Sequence, residues 1–239
     1  MLQPSNIHKL STLFQHLPSV MQTLGYDPIV TGITHDSRRV QPGSIFVAIP
    51  GENVDGHQYI PDAIVKGAVA VLGTQLQPES GAHYFRVQNA RKALATLAAA
   101  FYDFPAQKLT VIGVTGTDGK TTTANFIFEI LKAADIRAGM ISTVNAVIGE
   151  QVADTGFHVT TPEAPDVQRY LAQMVDAGLT HVVLEATSHG LAQERVAACD
   201  FDLGAVTNIM HEHLDYHGTY EAYRATKGRL FASLAATHT

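Results

Sequence analysis

Gly113-Val114-Thr115-Gly116-Thr117-Asp118-Gly119-Lys120-Thr121-Thr122-Thr123 stands between an apolar stretch, Leu109 to Val114, and a helical one, Thr121 to Ala134. In the second, Ala124, Ile127, Phe128 and Leu131 fall at i, i+3, i+4 and i+7, which makes one apolar face. Strand, glycine turn and helix in that order are the setting of a phosphate loop. Such a loop needs glycines where backbone meets anion, a lysine for the outer phosphates, and a hydroxyl for magnesium. Gly116 and Gly119 meet the first need, Lys120 the second, and Thr121 or Thr122 the third. The start of the helix adds amides and the positive end of its dipole. The strict pattern wants glycine at 114, where Val114 stands, so the loop is a variant. The expectation is that Gly116, Thr117, Asp118, Gly119, Lys120, Thr121 and Thr122 bind the phosphates of a nucleoside triphosphate.

The rest of the chain supplies the setting. Its 239 residues allow one large domain or two small ones, and 46% apolar content is enough for true cores. A net charge of -6 with no basic patch argues against nucleic acid and anionic membranes as partners. Cys199 is the single cysteine, so neither a disulfide within the chain nor a multi-thiolate zinc site is available. The first 17 residues lack the order of a signal peptide, and no apolar run nears the roughly 20 residues of a membrane span. A cytoplasmic α/β protein is expected.

Before the loop, the pattern predicts helices over Ile7 to Leu17, Ile60 to Lys66 and Asn89 to Phe104. Strands are predicted over Ile45 to Ile49, Ala68 to Leu72 and Tyr84 to Val87. Pro105 bars continuation of the last helix, which places a boundary near it and gives domains of residues 1–106 and 107–239. After the loop, strands are expected over Ala138 to Val144, His181 to Glu185 and Phe201 to Thr207, and helices over Glu163 to Ala177 and Thr219 to Leu234. That alternation implies a mostly parallel sheet with helices on both faces. The chain stops soon after the last helix with few strands for such a domain, so a truncated protein or a fragment is expected.

Three further clusters follow. Thr160-Thr161-Pro162-Glu163 fits a helix start, with Thr161 as cap and Pro162 in the first position. Glu185-Ala186-Thr187-Ser188-His189-Gly190 leaves the carboxyl end of an apolar strand, where ligands sit in open α/β sheets. Its carboxylate is a candidate magnesium ligand, and a solvated turn is the alternative. Adjacent Ser188 and His189 do not make a good nucleophile–base pair. The stretch from Asn208 to Gly218 holds His211, Glu212, His213, Asp215 and His217. It reads as a polar active-site loop or, with HExxH spacing absent, as a weaker transition-metal site. Lys227, taken alone, reads as an ordinary solvated lysine.

Taken together in order and spacing, these motifs resemble the Mur ligase family of ATP-dependent amide ligases, most closely its MurE type. Asp36-Ser37-Arg38, Gly43 to Ala48 and Gly51 to Gly56 extend the resemblance over essentially the whole chain. The resemblance implies an N-terminal α/β UDP-substrate domain followed by an incomplete parallel-sheet P-loop ATPase domain. It implies that His35, Ser37, Glu52, Asn53 and Val54 line the UDP end of the substrate, and that Thr160, Thr161, Thr187, Gln193 and Arg195 hold its muramoyl-peptide part. Lys120, Lys227, Glu185 and His213 would be catalytic, with two magnesium ions at Thr121, Glu185, His213 and a carbamylated Lys227. The implied reaction joins a free amino acid to UDP-N-acetylmuramoyl-dipeptide through an acyl phosphate, in a protein expected to be a monomer. Two departures are single residues: Asp118 stands where the family usually has asparagine and adds a negative charge next to the phosphates, which would weaken ATP binding, and Glu212, a milder change, stands where the MurE type usually has aspartate. Against the family's pattern, the resemblance implies a third and larger departure, a chain expected to lack the C-terminal domain and the remainder of the central one. A non-catalytic nucleotide- or UDP-sugar-binding module is the competing expectation for this polypeptide.

Overall fold

The computed structural model describes residues 6–17, 20, 26–51, 54–76, 83–154 and 161–234. The chain divides into two compact units, Met1–Asp103 and Phe104–Thr239.

The first unit contains β1 (His8–Lys9), α1 (Leu10–Phe14), β2 (Ile29–Val30), β3 (Gly32–Thr34), β4 (Ser44–Val47), α2 (Ile60–Val65), β5 (Ala70–Gly73), β6 (Tyr84–Arg86) and α3 (Ala90–Phe101). Strands β3 to β6 form a parallel sheet in sequence order, and β1 pairs antiparallel with β2. Phe46 and Val71 of the sheet pack with Ile60 and Ala63 of α2. The expected first helix is shorter than its pattern. Lys9 is extended, and the Asp27 carboxylate fixes the first turn by accepting from the Ser11 amide and hydroxyl. Helix α3 is capped by the Asn89 side chain and ends at Phe101. Asp103, at φ 56°, is left-handed, so the helix stops before the proline is reached.

The second unit runs β7 (Thr110–Thr115), α4 (Lys120–Ala133), β8 (Ala138–Ile141), β9 (Asn145–Ile148), β10 (Gln151–Asp154), α5 (Ala164–Asp176), β11 (His181–Glu185), α6 (Ser188–Ala192), β12 (Leu203–Val206), α7 (Leu214–His217) and α8 (Tyr220–Leu234). Its sheet order is β10-β9-β8-β11-β7-β12, with β8, β11, β7 and β12 parallel. Successive strand residues face opposite sides. On β11, Val183 joins Ala124 and Phe128 of α4, while Val182 and Leu184 join Leu171 and Met174 of α5. Ile127 and Leu131 pack partly buried against the α4 side, so the expected apolar face is the one that packs. The mostly parallel sheet with helices on both faces is thus present.

Two local expectations are corrected. The strand expected to reach Val144 ends at Ile141, because the Ser142 hydroxyl accepts from the Val144 and Asn145 amides and turns the chain into the β9–β10 hairpin. Thr161 is not a helix cap. Glu163 occupies that position, α5 begins at Ala164, and the proline of its first turn is Pro165.

Candidate active site

Parallel pairing aligns the ends of the central strands. Glu185 pairs with Val114, so β11 delivers its last residue level with the end of β7. Beyond these ends lies a cavity of about 210 Å³ lined by Gly116, Lys120, Thr121, Glu185, His213 and Lys227 among others. Residues scattered over the second half of the sequence therefore meet in one place, at the carboxyl edge of the sheet.

The phosphate loop is held from both sides. Gly116 has φ 149°, and a Cβ there would run into the Thr207 side chain, so only glycine fits. The Thr207 hydroxyl donates to the Asp118 carbonyl at 2.6 Å. Asn208 accepts the Thr117 amide through its carbonyl at 2.9 Å and the Asp118 amide through its side chain at 3.0 Å. Thr117, though polar, is buried. The Asp118 side chain is exposed. The Lys120 ammonium donates to the Thr117 carbonyl at 2.7 Å. Thr122 is exposed, whereas Thr121 turns inward and donates its hydroxyl to Glu185 Oε2 at 3.0 Å. That settles which threonine faces the cavity.

Glu185 is 2% exposed, and the same Oε2 also accepts the Thr143 amide at 3.3 Å. A carboxylate and a hydroxyl, both oxygen donors, suit magnesium, which takes its remaining ligands from water and phosphate. Among the described residues, no group of three or more His, Cys, Asp or Glu side chains could hold a metal ion, so the transition-metal alternative for the histidine stretch finds no support. His213 lines the cavity from a left-handed position, φ 53°, just before α7. Its ring lies 4.9 Å from His189 and 6.3 Å from Tyr223. The His189 ring also packs against the Tyr216 ring, 4.2 Å away. His217 is pushed below its ordinary pKa by burial and by the neighbouring His189 and His213.

Lys227 overturns the solvated-lysine expectation. It is 1% exposed, donates to the Gly116 carbonyl and sits over the Tyr223 ring at 4.6 Å. Burial, and then the charge of Lys120, lower its pKa from 10.5 to about 8. The solvated-turn alternative for residues 185–190 fails as well. Ser188 starts α6, capped by the Thr187 hydroxyl, and both are buried.

The peptide-end candidates form a network of their own. The Thr161 hydroxyl, fully buried, donates to the Glu185 carbonyl and accepts the Thr187 amide, each at 3.1 Å. Arg195 pairs with Glu163 at 2.7 Å and donates to the Thr161 carbonyl and to Gln193. Gln193 donates to the Tyr216 hydroxyl at 3.3 Å. Thr160 lies outside the described residues, as do Glu52 and Asn53. In the first unit, Asp36 caps the turn Ser37–Arg39, and its pairing with Arg38 holds its carboxyl down at about 2. The Ser37 carbonyl accepts from Lys66, half-buried His35 precedes the cap, and exposed Val54 closes a turn onto Gly51. Tyr223, the residue that binds Thr117 and underlies Lys227, carries no motif signal. Its position one helical turn before Lys227 is the one cue that could have found it.

Comparison with known proteins finds relatives over most of the chain. Residues 114–239 match the Mur ligase middle domain, and residues 29–102 match the Mur ligase family catalytic domain. A UDP-N-acetylmuramyl-tripeptide synthetase of Roseiflexus sp. is 43% identical over 95% of this chain and 45% of its own length. A UDP-N-acetylmuramoyl-L-alanyl-D-glutamate–2,6-diaminopimelate ligase of Geobacillus kaustophilus is 43% identical over 95% of this chain and 46% of its own. The chain thus spans about half the length of the curated relatives it matches. Among solved structures, a 2,6-diaminopimelate ligase of the same name superposes with TM-score 0.77 and 29% identity over 92% of this chain and 44% of that one. A MurF ligase from Thermotoga maritima in complex with ADP gives TM-score 0.53 at 25% identity over 84% of this chain and 43% of that one.

Proposed function

This chain belongs to the Mur ligase family, and on that premise we propose that it carries the UDP-substrate and ATP-binding parts of a MurE-type ligase. The reaction would add an amino acid to UDP-N-acetylmuramoyl-L-Ala-D-Glu for peptidoglycan synthesis. The observation that carries this is the meeting of Lys120, Thr121, Glu185, His213 and Lys227 around one cavity.

The chemistry is a two-step acyl transfer. A peptide carboxylate oxygen attacks the γ-phosphorus of ATP, the bond to ADP breaks, and an acyl phosphate results. The amine nitrogen of the amino acid then attacks the acyl carbon, and phosphate leaves as the amide forms. Two anions must meet in the first step, so positive charge fixed beforehand supplies most of the help. Lys120 brings such a charge to the loop and Thr121 and Glu185 would hold magnesium. Magnesium, when bound, offsets the phosphate charge. Thr187, Gln193 and Arg195, with Thr160 and Thr161, would orient the peptide end. His35, Ser37, Glu52, Asn53 and Val54 would do so for the UDP end.

Lys227 would act as its carbamate. Only a neutral amine adds carbon dioxide, and a pKa near 8 leaves a usable neutral fraction at neutral pH. The product would be an anion beside the same cavity and would offer a further oxygen ligand to a second magnesium.

The test is phosphate release from ATP with UDP-muramoyl-dipeptide and a panel of amino acids. It should use this chain and the chain extended to whatever its reading frame encodes. No release with any amino acid by the longest form would sink the ligase proposal. For these 239 residues alone we propose ATP and UDP-substrate binding without ligation, since the relatives named for the activity are about twice as long. Amide product from them alone would disprove this.

A further inference from the structure

Tyr223 is fully buried on α8, one turn before Lys227. Its phenol oxygen lies 3.0 Å from Thr117 Oγ1, which also accepts the Met210 amide at 2.8 Å. Its ring lies 4.6 Å from the Lys227 nitrogen and 5.2 Å from the His217 ring. One side chain thus touches the phosphate loop, the histidine-bearing turn and the lysine, and Thr117 extends its reach to the segment after β12. A phenylalanine would fill the same space. What the hydroxyl adds is a directed bond to Thr117, because a buried phenol needs a partner. Thr117 in turn offers its carbonyl to Lys120 at 2.7 Å and its amide to Asn208. Its orientation therefore sets where Lys120 starts from and how the loop backbone faces the cavity.

We propose that Tyr223 is a positioning residue that latches the phosphate loop through Thr117, holding Lys120 and Lys227 in register for one polyphosphate ligand. The identity of that ligand as ATP rests on the ligase reading above; the latch itself does not.

The test uses the 239-residue chain. Tyr223→Phe keeps the ring and removes the hydroxyl. It should weaken magnesium–ATP binding about five- to tenfold by calorimetry, the scale of one neutral hydrogen bond. Thr117→Val should lose at least as much, Thr117→Ser should keep the parent affinity, and the double variant should be no weaker than Thr117→Val. In the ligand-free protein, hydrogen exchange at the Met210 amide should quicken by about tenfold in both Tyr223→Phe and Thr117→Val, with amides of β7 and β11 unchanged. If Tyr223→Phe does not fold, Thr117→Val reports the same latch from its other end. A parent chain that binds no ATP would count against the ligase reading, and Met210 exchange would still decide the latch. Unchanged exchange there, or additive losses in the double variant, overturns it.

Discussion

In the lining of the cavity Glu185 and Lys227 (its floor) are 2% and 1% exposed, whereas in the stretch that brings His213 to it (called the rim below) His211, Glu212, His213 and Asp215 are all exposed. Both regions are rich in ionisable groups, and they are held differently. Floor groups are bonded to backbone: Glu185 to the Thr143 amide and Lys227 to the Gly116 carbonyl. Rim groups lean on rings, as His211 does on Tyr220 at 4.6 Å, and His213 lies 3.8 Å from Glu212. The difference teaches where charge is preorganised. A buried ion with fixed partners cannot relax away from a substrate, while an exposed one is screened by water and salt.

The contrast is open to direct attack, starting with its backbone. Gly116→Ala sets a left-handed strain and a clash with Thr207 against the whole loop. It should cost about 3 kcal/mol in urea unfolding, whereas His211→Ala on the rim should cost under about 0.5 kcal/mol. Equal effects would erase the distinction. Glu185→Ala leaves the Thr121 hydroxyl and the Thr143 amide without this acceptor. In a catalytically competent form, phosphate release should fall by about two to three orders of magnitude, against less than about threefold for Glu212→Ala. A rim loss as large as the floor loss would break the comparison.

Lys227 gives the pH arm. Its folded pKa, about 8, lies below the ordinary 10.5, so the unfolded chain binds more protons between these values. Stability should therefore rise with pH across that window, and Lys227→Met should flatten the rise. Uptake of labelled bicarbonate carbon at this lysine should likewise increase as pH rises through about 8, followed by NMR. A slope that survives the substitution would assign the titration elsewhere. The smallest effect is expected at Asp118, which is exposed beside the loop. Asp118→Asn should tighten ATP about two- to threefold at low salt and hardly at all at high salt. A tenfold gain would mean that this carboxylate is less screened than its exposure implies.

Much of this was legible before any coordinates. Long apolar runs flanked by glycine and proline gave β4, β7 and β11, and the 3.6-residue period gave α4 with the correct packed face. The hairpin β9–β10 was not legible, because four-residue strands joined by a short turn leave too few alternations to count. The start of α5 was misplaced by a local rule that tertiary bonding overrode: Thr161 spends its hydroxyl on Glu185 and Thr187 instead of on a helix amide. Motif spacing found Lys120, Thr121 and Glu185. The density of histidines drew attention to the rim. The burial of Lys227 and the role of Tyr223 depend on which face of α8 meets the loop, and α8 shows only a weak apolar bias along its length.

The parallel register of β7, β11 and β12 has a consequence for how this unit tolerates change. Each strand acts as a ruler whose upper mark stands at the edge of the site: Glu185 beside Val114, and Thr115, the residue before Gly116, beside Val206. A two-residue slip of β11 would keep every side chain on its own face and still carry Glu185 about 6.6 Å along the strand, out of reach of Thr121. Length can therefore drift at the connections entering the lower ends of the strands, such as the segment between α5 and β11, where an insertion moves no mark. At the upper ends a single added residue alters the spacing on which the cavity depends. Permissive insertion points for tags or reporters in this unit should accordingly cluster at one edge of the sheet.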